Sequence, residues 1–124
     1  MRPIRVAAAF AALISTALPA QAWTARNGMA VEPLSPSSFS VAWTGRAGAR
    51  NFWCAAGDYV TRNLTLPPAT KIYRYSPPIR QSGEGIVFGL DPARATATGL
   101  IRLQGGLGVT AAHARLLCER PQDD

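Results

Sequence analysis

Two cysteines, Cys54 and Cys118, stand about 64 residues apart in a chain whose first 22 residues have the make-up of an export signal. Arg2 and Arg5 give a positive start, Val6 to Leu18 is an uncharged, mainly apolar run, and Ala20-Gln21-Ala22 supplies a small-x-small cleavage pattern. The sequence therefore predicts a signal peptide over 1–22 and a single mature domain over 23–124, exported and periplasmic or secreted. In an oxidising compartment a lone pair of thiols forms a disulfide by default. An intermolecular bridge and two free thiols are the alternatives. Closing a loop of this length contributes roughly 4 kcal/mol in the chain-entropy model, a large share of the stability of a small domain.

Of the 124 residues, about 102 remain after cleavage, enough for one modest core. The long apolar run lies in the signal and is far shorter than the roughly 20 residues a bilayer crossing needs, so no membrane insertion is expected after cleavage. The residue directly after the cleavage site is Trp23 and not a cysteine, which argues against a lipoprotein. Loss of Arg2 and Arg5 lowers the formal charge from +6 to +4, and Lys71 is the only lysine. The arginines are scattered, with no basic tract, and no nucleic-acid partner is expected. Anionic envelope components are the more local partners for such a surface, although solubility alone accounts for this charge.

Along the chain, Trp23 to Gly28 reads as a loose terminus and Met29 to Leu34 as a short strand. Ser38 to Thr44 alternates Phe39, Val41 and Trp43 with small and polar residues, a clear period of two. Asn51 can cap a helix running to about Asn63, whose Phe52, Trp53, Ala56, Tyr59, Val60 and Leu64 recur at spacings of three and four. Asp58 and Arg62, four apart, are expected on a side of that helix that can face water. Pro67 and Pro68 end this region.

Lys71 to Ser76 and Gly85 to Leu90 read as strands, Asp91-Pro92 as a turn, Ala93 to Thr98 as an exposed link, and Gly99 to Gln104 as a last strand. Thr110 can cap a helix whose Ala112, Leu116 and Leu117 face the core, while Val109, Ala111 and His113 can instead alternate in a strand. The helix is the expectation. The order β-β-α-β-β-β-α predicts an α+β domain: an antiparallel sheet of about four to five strands with one long and one short helix on one face and one disulfide.

The segment Asn51-Phe52-Trp53-Cys54-Ala55-Ala56-Gly57-Asp58-Tyr59 is the most distinctive in the chain. It resembles a signature of small exported bacterial proteins of unknown function, in which a Phe-Trp-Cys-Ala-Ala-Gly-Asp-Tyr helix follows an alternating strand and a second Cys lies near the C-terminus. The resemblance spans Phe39 to Cys118 and transfers no activity. It implies that Cys54 and Cys118 belong to the scaffold.

Other chemistry is weaker. Cys54 early in a helix, with the lone histidine His113 as base, has the rough order of a cysteine hydrolase. Cys118 is available to consume that thiol, however, and the residues around Cys54 do not match the Cys-Gly-Ser-Cys-Trp or Asp-Cys-Ser-Gly patterns of papain-like and cell-wall cysteine peptidases. Two distant cysteines and one histidine lack metal-ligand spacing, so no metal and no cofactor are expected. Glu32, Asp58, Glu84 and Asp91 show no pairing for general acid and base work. Gly105-Gly106-Leu107-Gly108 reads as a turn rather than a phosphate cradle. Tyr73, Arg74 and Tyr75, with Lys71, can form a stacking and charged surface for a ligand. The expectation is a non-catalytic envelope module that contacts another envelope protein or has a general envelope role; the alternative is a binder of an anionic or carbohydrate envelope ligand at Tyr73, Arg74 and Tyr75.

Overall fold

A computed structural model of the protein describes residues 22–45, 48–78, 83–100 and 106–118. The signal segment 1–21 lies outside these residues, as do 101–104 of the expected last strand. The elements run β1 (Trp23–Thr24), β2 (Ala30–Ser35), β3 (Ser38–Val41), α1 (Ala49–Asp58), β4 (Lys71–Arg74), β5 (Ile86–Gly89), β6 (Val109–Thr110) and α2 (Ala111–Leu116). The six strands form one antiparallel sheet in the order β1-β2-β3-β5-β4-β6. The expected α+β class, with one long helix, one short helix and one disulfide, is the fold observed, with one strand more than expected.

Alternation decides which side of the sheet is covered. Cross-strand partners share a face, and the register pairs Val31 with Val41, Val41 with Ile86, and Phe39 with Phe88. All of these side chains are buried, and α1 lies over them. Phe39 packs its ring 4.5 Å from Tyr59 and 5.9 Å from Phe88, and Trp53 meets Phe88 edge-on at 4.8 Å. Burial pushes the Tyr59 phenol above its ordinary pKa of 10.0, so this ring is a neutral core residue at physiological pH.

Four details depart from the sequence reading. The first helix begins at Ala49 with Gly48 as its cap, and Asn51 caps from inside, its side-chain oxygen accepting the Gly48 N–H at 3.4 Å. Its regular α geometry ends at Asp58; a wider turn over Tyr59–Asn63 follows, closed by the Leu64 N–H on the Tyr59 carbonyl at 3.0 Å. The alternating strand ends at Val41, leaving Trp43 beyond it with 39% of its surface exposed. Trp23, expected in a loose terminus, pairs with Val31 as the edge strand β1, held by an edge-on contact with Tyr59 at 5.5 Å and by the Arg62 guanidinium 5.2 Å from its ring.

The C-terminal half also differs from expectation. Gly99 and Leu100 are not in the sheet; Gly99 has φ +81°, and the Leu100 N–H turns back to the Thr98 hydroxyl at 3.0 Å. The sheet edge beyond β4 is taken by Val109–Thr110 instead, and Thr110 then caps α2 by accepting the His113 N–H at 3.1 Å. Ala111 and Ala114 face the core, whereas Ala112 and Leu116 face outward. The segment Ala93–Thr98 is only partly an exposed link, because Thr98 is buried and its carbonyl receives the Trp53 indole N–H at 2.9 Å.

The two helices meet at glycine. Any Cβ on Gly57 would lie 2.7 Å from the Ala114 Cβ and 3.0 Å from the Ala111 carbonyl oxygen, so hydrogen at this position is what lets α2 approach. One turn before Gly57 on α1, Cys54 is bonded to Cys118, with 4.8 Å between their Cα atoms. Moving up α1 from 54 to 57 corresponds to moving back along the C-terminal segment from 118 to 114, so the two segments cross antiparallel. Gly57→Ala would gain about 1 kcal/mol of helix propensity and lose about 1–3 kcal/mol to overpacking. A net loss of stability is expected in urea unfolding, partly restored in the Gly57→Ala/Ala114→Gly double variant.

Candidate functional site

The residues that the sequence puts forward as a ligand surface do not share one. Arg74 pairs with Phe88 and therefore lies on the core face; Tyr73 pairs with Gly89 and lies on the other. Arg74 is only 3% exposed, and its guanidinium donates to the carbonyls of Ser76 at 2.6 Å, Pro77 at 3.1 Å and Thr98 at 3.3 Å. It ties the segment after β5 to the strand. Tyr75 is also committed: its ring covers Gly89 on one side, Arg94 lies 4.1 Å from the ring centre, and its hydroxyl accepts the Asp91 N–H at 2.8 Å. Tyr73 packs against Gly108.

The cysteine and histidine do not form a catalytic pair either. Cys54 is in the second turn of α1 rather than its first, it is buried, and its sulfur is bonded to Cys118, so it presents no thiolate. His113 is exposed on α2. Among the described residues no group of three or more His, Cys, Asp or Glu side chains comes together to hold a metal ion, and no helix is long and apolar enough to cross a membrane.

A different cluster lies at the seam between the helices and the N-terminal hairpin. Asp58, expected to face water, is fully buried, while its partner Arg62 is 51% exposed. The reason is that every residue from Phe52 to Val60 is buried: the helix is covered on all sides over this stretch, and the one charge within it is covered too. The Asp58 Oδ2 accepts Arg62 at 2.7 Å and the backbone N–H of Arg26 at 2.8 Å. Its Oδ1 has no hydrogen-bond partner. Asp58 thereby anchors the turn between β1 and β2 to the end of α1.

Beside this anchor is an open cleft of about 280 Å³, lined by Arg26, Thr61, Pro68, Ala112, Arg115 and Leu116. Four elements supply its walls. Arg26 comes from the turn pinned by Asp58, and Thr61 from the wide turn after α1, its hydroxyl donating back to the Gly57 carbonyl at 3.0 Å. Pro68 is held by the Ala112 N–H on its carbonyl at 2.9 Å, and Thr70 by the Ala111 N–H at 2.8 Å. Ala112, Arg115 and Leu116 lie on the outward side of α2.

The cleft is cationic, with an apolar wall. Among the described residues no acidic side chain lines it, and Asp58 is compensated by Arg62. The Nε of Arg115 is buried and has no hydrogen-bond partner. Leaving such a donor unmade costs about 1–3 kcal/mol. Sequence spacing does not reveal this cluster, because Arg26, Thr61 and Arg115 come from three distant segments. One local signal was present: a helix apolar all round is a buried helix, which puts Asp58 inside.

No protein-family model, curated protein or solved structure matches this chain.

Replacing Arg62 with Met leaves a buried carboxylate without its cation. The expected loss is about 1–3 kcal/mol, toward the lower end because water reaches the exposed half of this pair. The Asp58→Asn/Arg62→Met double variant, with no charge to strand, is expected to be more stable than Arg62→Met alone in the same urea measurement.

Proposed function

We propose that this chain is a non-catalytic, exported, disulfide-clamped module, periplasmic in a diderm bacterium, that works by binding within the envelope. The observation that carries this reading is the Cys54–Cys118 bond: the only two sulfurs able to act as nucleophiles hold α1 against α2. A disulfide of this kind fits an oxidising compartment, and the signal-like segment over 1–22 supplies the route to one. The resemblance to small exported proteins carrying the Phe-Trp-Cys-Ala-Ala-Gly-Asp-Tyr helix points the same way, since there too the paired cysteines are scaffold. The partner is another envelope protein or an anionic envelope ligand. For the second of these, Arg74 is no longer an address, and the arginine-lined cleft takes its place.

Expression with its own leader in a diderm host tests the reading. The expected product begins at Trp23, takes up no alkylating reagent until it is reduced, gains two hydrogens by intact mass on reduction alone, and then exchanges those two hydrogens for two alkyl groups on alkylation. Retention of residues 1–22 in a cytoplasmic product, or two thiols that alkylate without reduction, would overturn it.

A further inference from the structure

We infer that the cleft between Arg26, Thr61 and Arg115 is a binding site for a phosphate monoester with a small apolar body. Two guanidinium groups line it from separate elements, Arg26 on the hairpin turn and Arg115 on α2. No hydrogen bond or ion pair engages either guanidinium among the described residues, and the Arg115 Nε is a buried donor with nothing to donate to. Donors arriving from two walls suit a tetrahedral dianion better than a planar carboxylate, which one arginine can saturate with two parallel bonds.

Asp58 does not cancel this charge, because its Oδ2 is taken by Arg62 and the Arg26 backbone. The size sets the class of ligand. About 280 Å³ is at the small end of ligand sites, too little for a nucleotide-sized molecule to be enclosed. Pro68, Ala112 and the outward Leu116, which is 66% exposed, offer an apolar wall for the rest of the ester. The backbone of the site is preformed, since the turn carrying Arg26 is pinned to Asp58 and α2 is pinned by Cys118, so binding has to order only side chains.

The inference deepens the binding-module reading and rests on it. Its test is titration of the oxidised mature protein with phenyl phosphate, followed by calorimetry and by the side-chain N–H resonances of arginine. Saturable binding is expected, weakened about ten-fold or more in Arg26→Gln and in Arg115→Gln, the loss expected for one charge-assisted contact. Arg50→Gln, at the opposite end of α1, serves as the control for general charge and is expected to bind as the wild type does. Leu116→Ala is expected to weaken phenyl phosphate more than inorganic phosphate. Circular dichroism and urea unfolding of each variant separate loss of binding from loss of fold.

A parallel arm uses phosphatidylcholine vesicles with and without phosphatidic acid. Arginine-dependent capture on the doped vesicles alone assigns the phosphate to a lipid headgroup; binding of the soluble ester alone assigns it to a free metabolite. Both support the site. Absence of saturable binding in both arms would overturn it and leave the module reading standing, as would equal weakening by Arg50→Gln. Release of phenol by the wild-type protein, lost in Arg115→Gln, would leave the site standing and overturn the non-catalytic reading.

Discussion

The crossing of α1 and α2 is the contact on which the other features rest. Helix α1 is buried on every side from Phe52 to Asp58, but the sheet can cover only one of those sides. The other must be covered by α2, a helix of six residues. A helix that short has almost no stability of its own, so its position must come from attachments. These are the Cys54–Cys118 bond, the close approach of Ala114 at Gly57, and the two N–H groups of Ala111 and Ala112 on the Thr70 and Pro68 carbonyls. The covalent bond and the missing Cβ act one helical turn apart. The two are complementary, since a side chain at 57 would push apart the helices that the sulfurs join.

That cover explains a carboxylate in the interior. Asp58 lies one residue past Gly57, where α1 gives way to the wide turn over Tyr59–Asn63. A buried charge is tolerated only with partners, and here they come from two directions, Arg62 on the same turn and the Arg26 N–H from the hairpin. The wide turn matters for this arrangement. It places Arg62 so that its guanidinium reaches both Asp58 and the Trp23 ring while the side chain stays half in water, and Thr61 faces the cleft. A single carboxylate thus ties the N-terminal edge of the sheet to the end of the central helix.

The parts of this fold that are local in sequence were legible there, and the parts that depend on register were not. Phe39 and Val41 announce their strand, and Phe52 to Val60 announce a helix, because one period runs through several turns or pleats. Strand β4 alternates equally well, yet its four residues do not say which side is inside. Tyr73 and Tyr75 carry more apolar surface than Ile72, and only the pairing of Arg74 with Phe88 puts the arginine on the core face. Asp58 and Arg62 were read as a surface pair because their spacing is that of one. The spacing was right and the surroundings were not, since exposure is set by α2, which lies some 50 residues away. The edge strand at Trp23 is two residues long and has no period to detect.

The same logic bears on where a ligand can be held. The tyrosine-bearing side of the sheet has the composition of a binding surface, but its groups are already engaged: Tyr75 lies between Gly89 and Arg94 with its hydroxyl on the Asp91 N–H. A ligand there would have to displace internal contacts and would gain only the difference. The cleft beside α2 is the opposite case. Its two guanidinium groups are carried by backbone that is already fixed, and among the described residues no hydrogen bond or ion pair engages them. A fixed backbone that carries cations without internal partners favours an incoming anion because part of the cost of arranging the site has been met in folding. By that physical criterion the seam between the helices, rather than the aromatic strand, is where we propose that this domain makes contact.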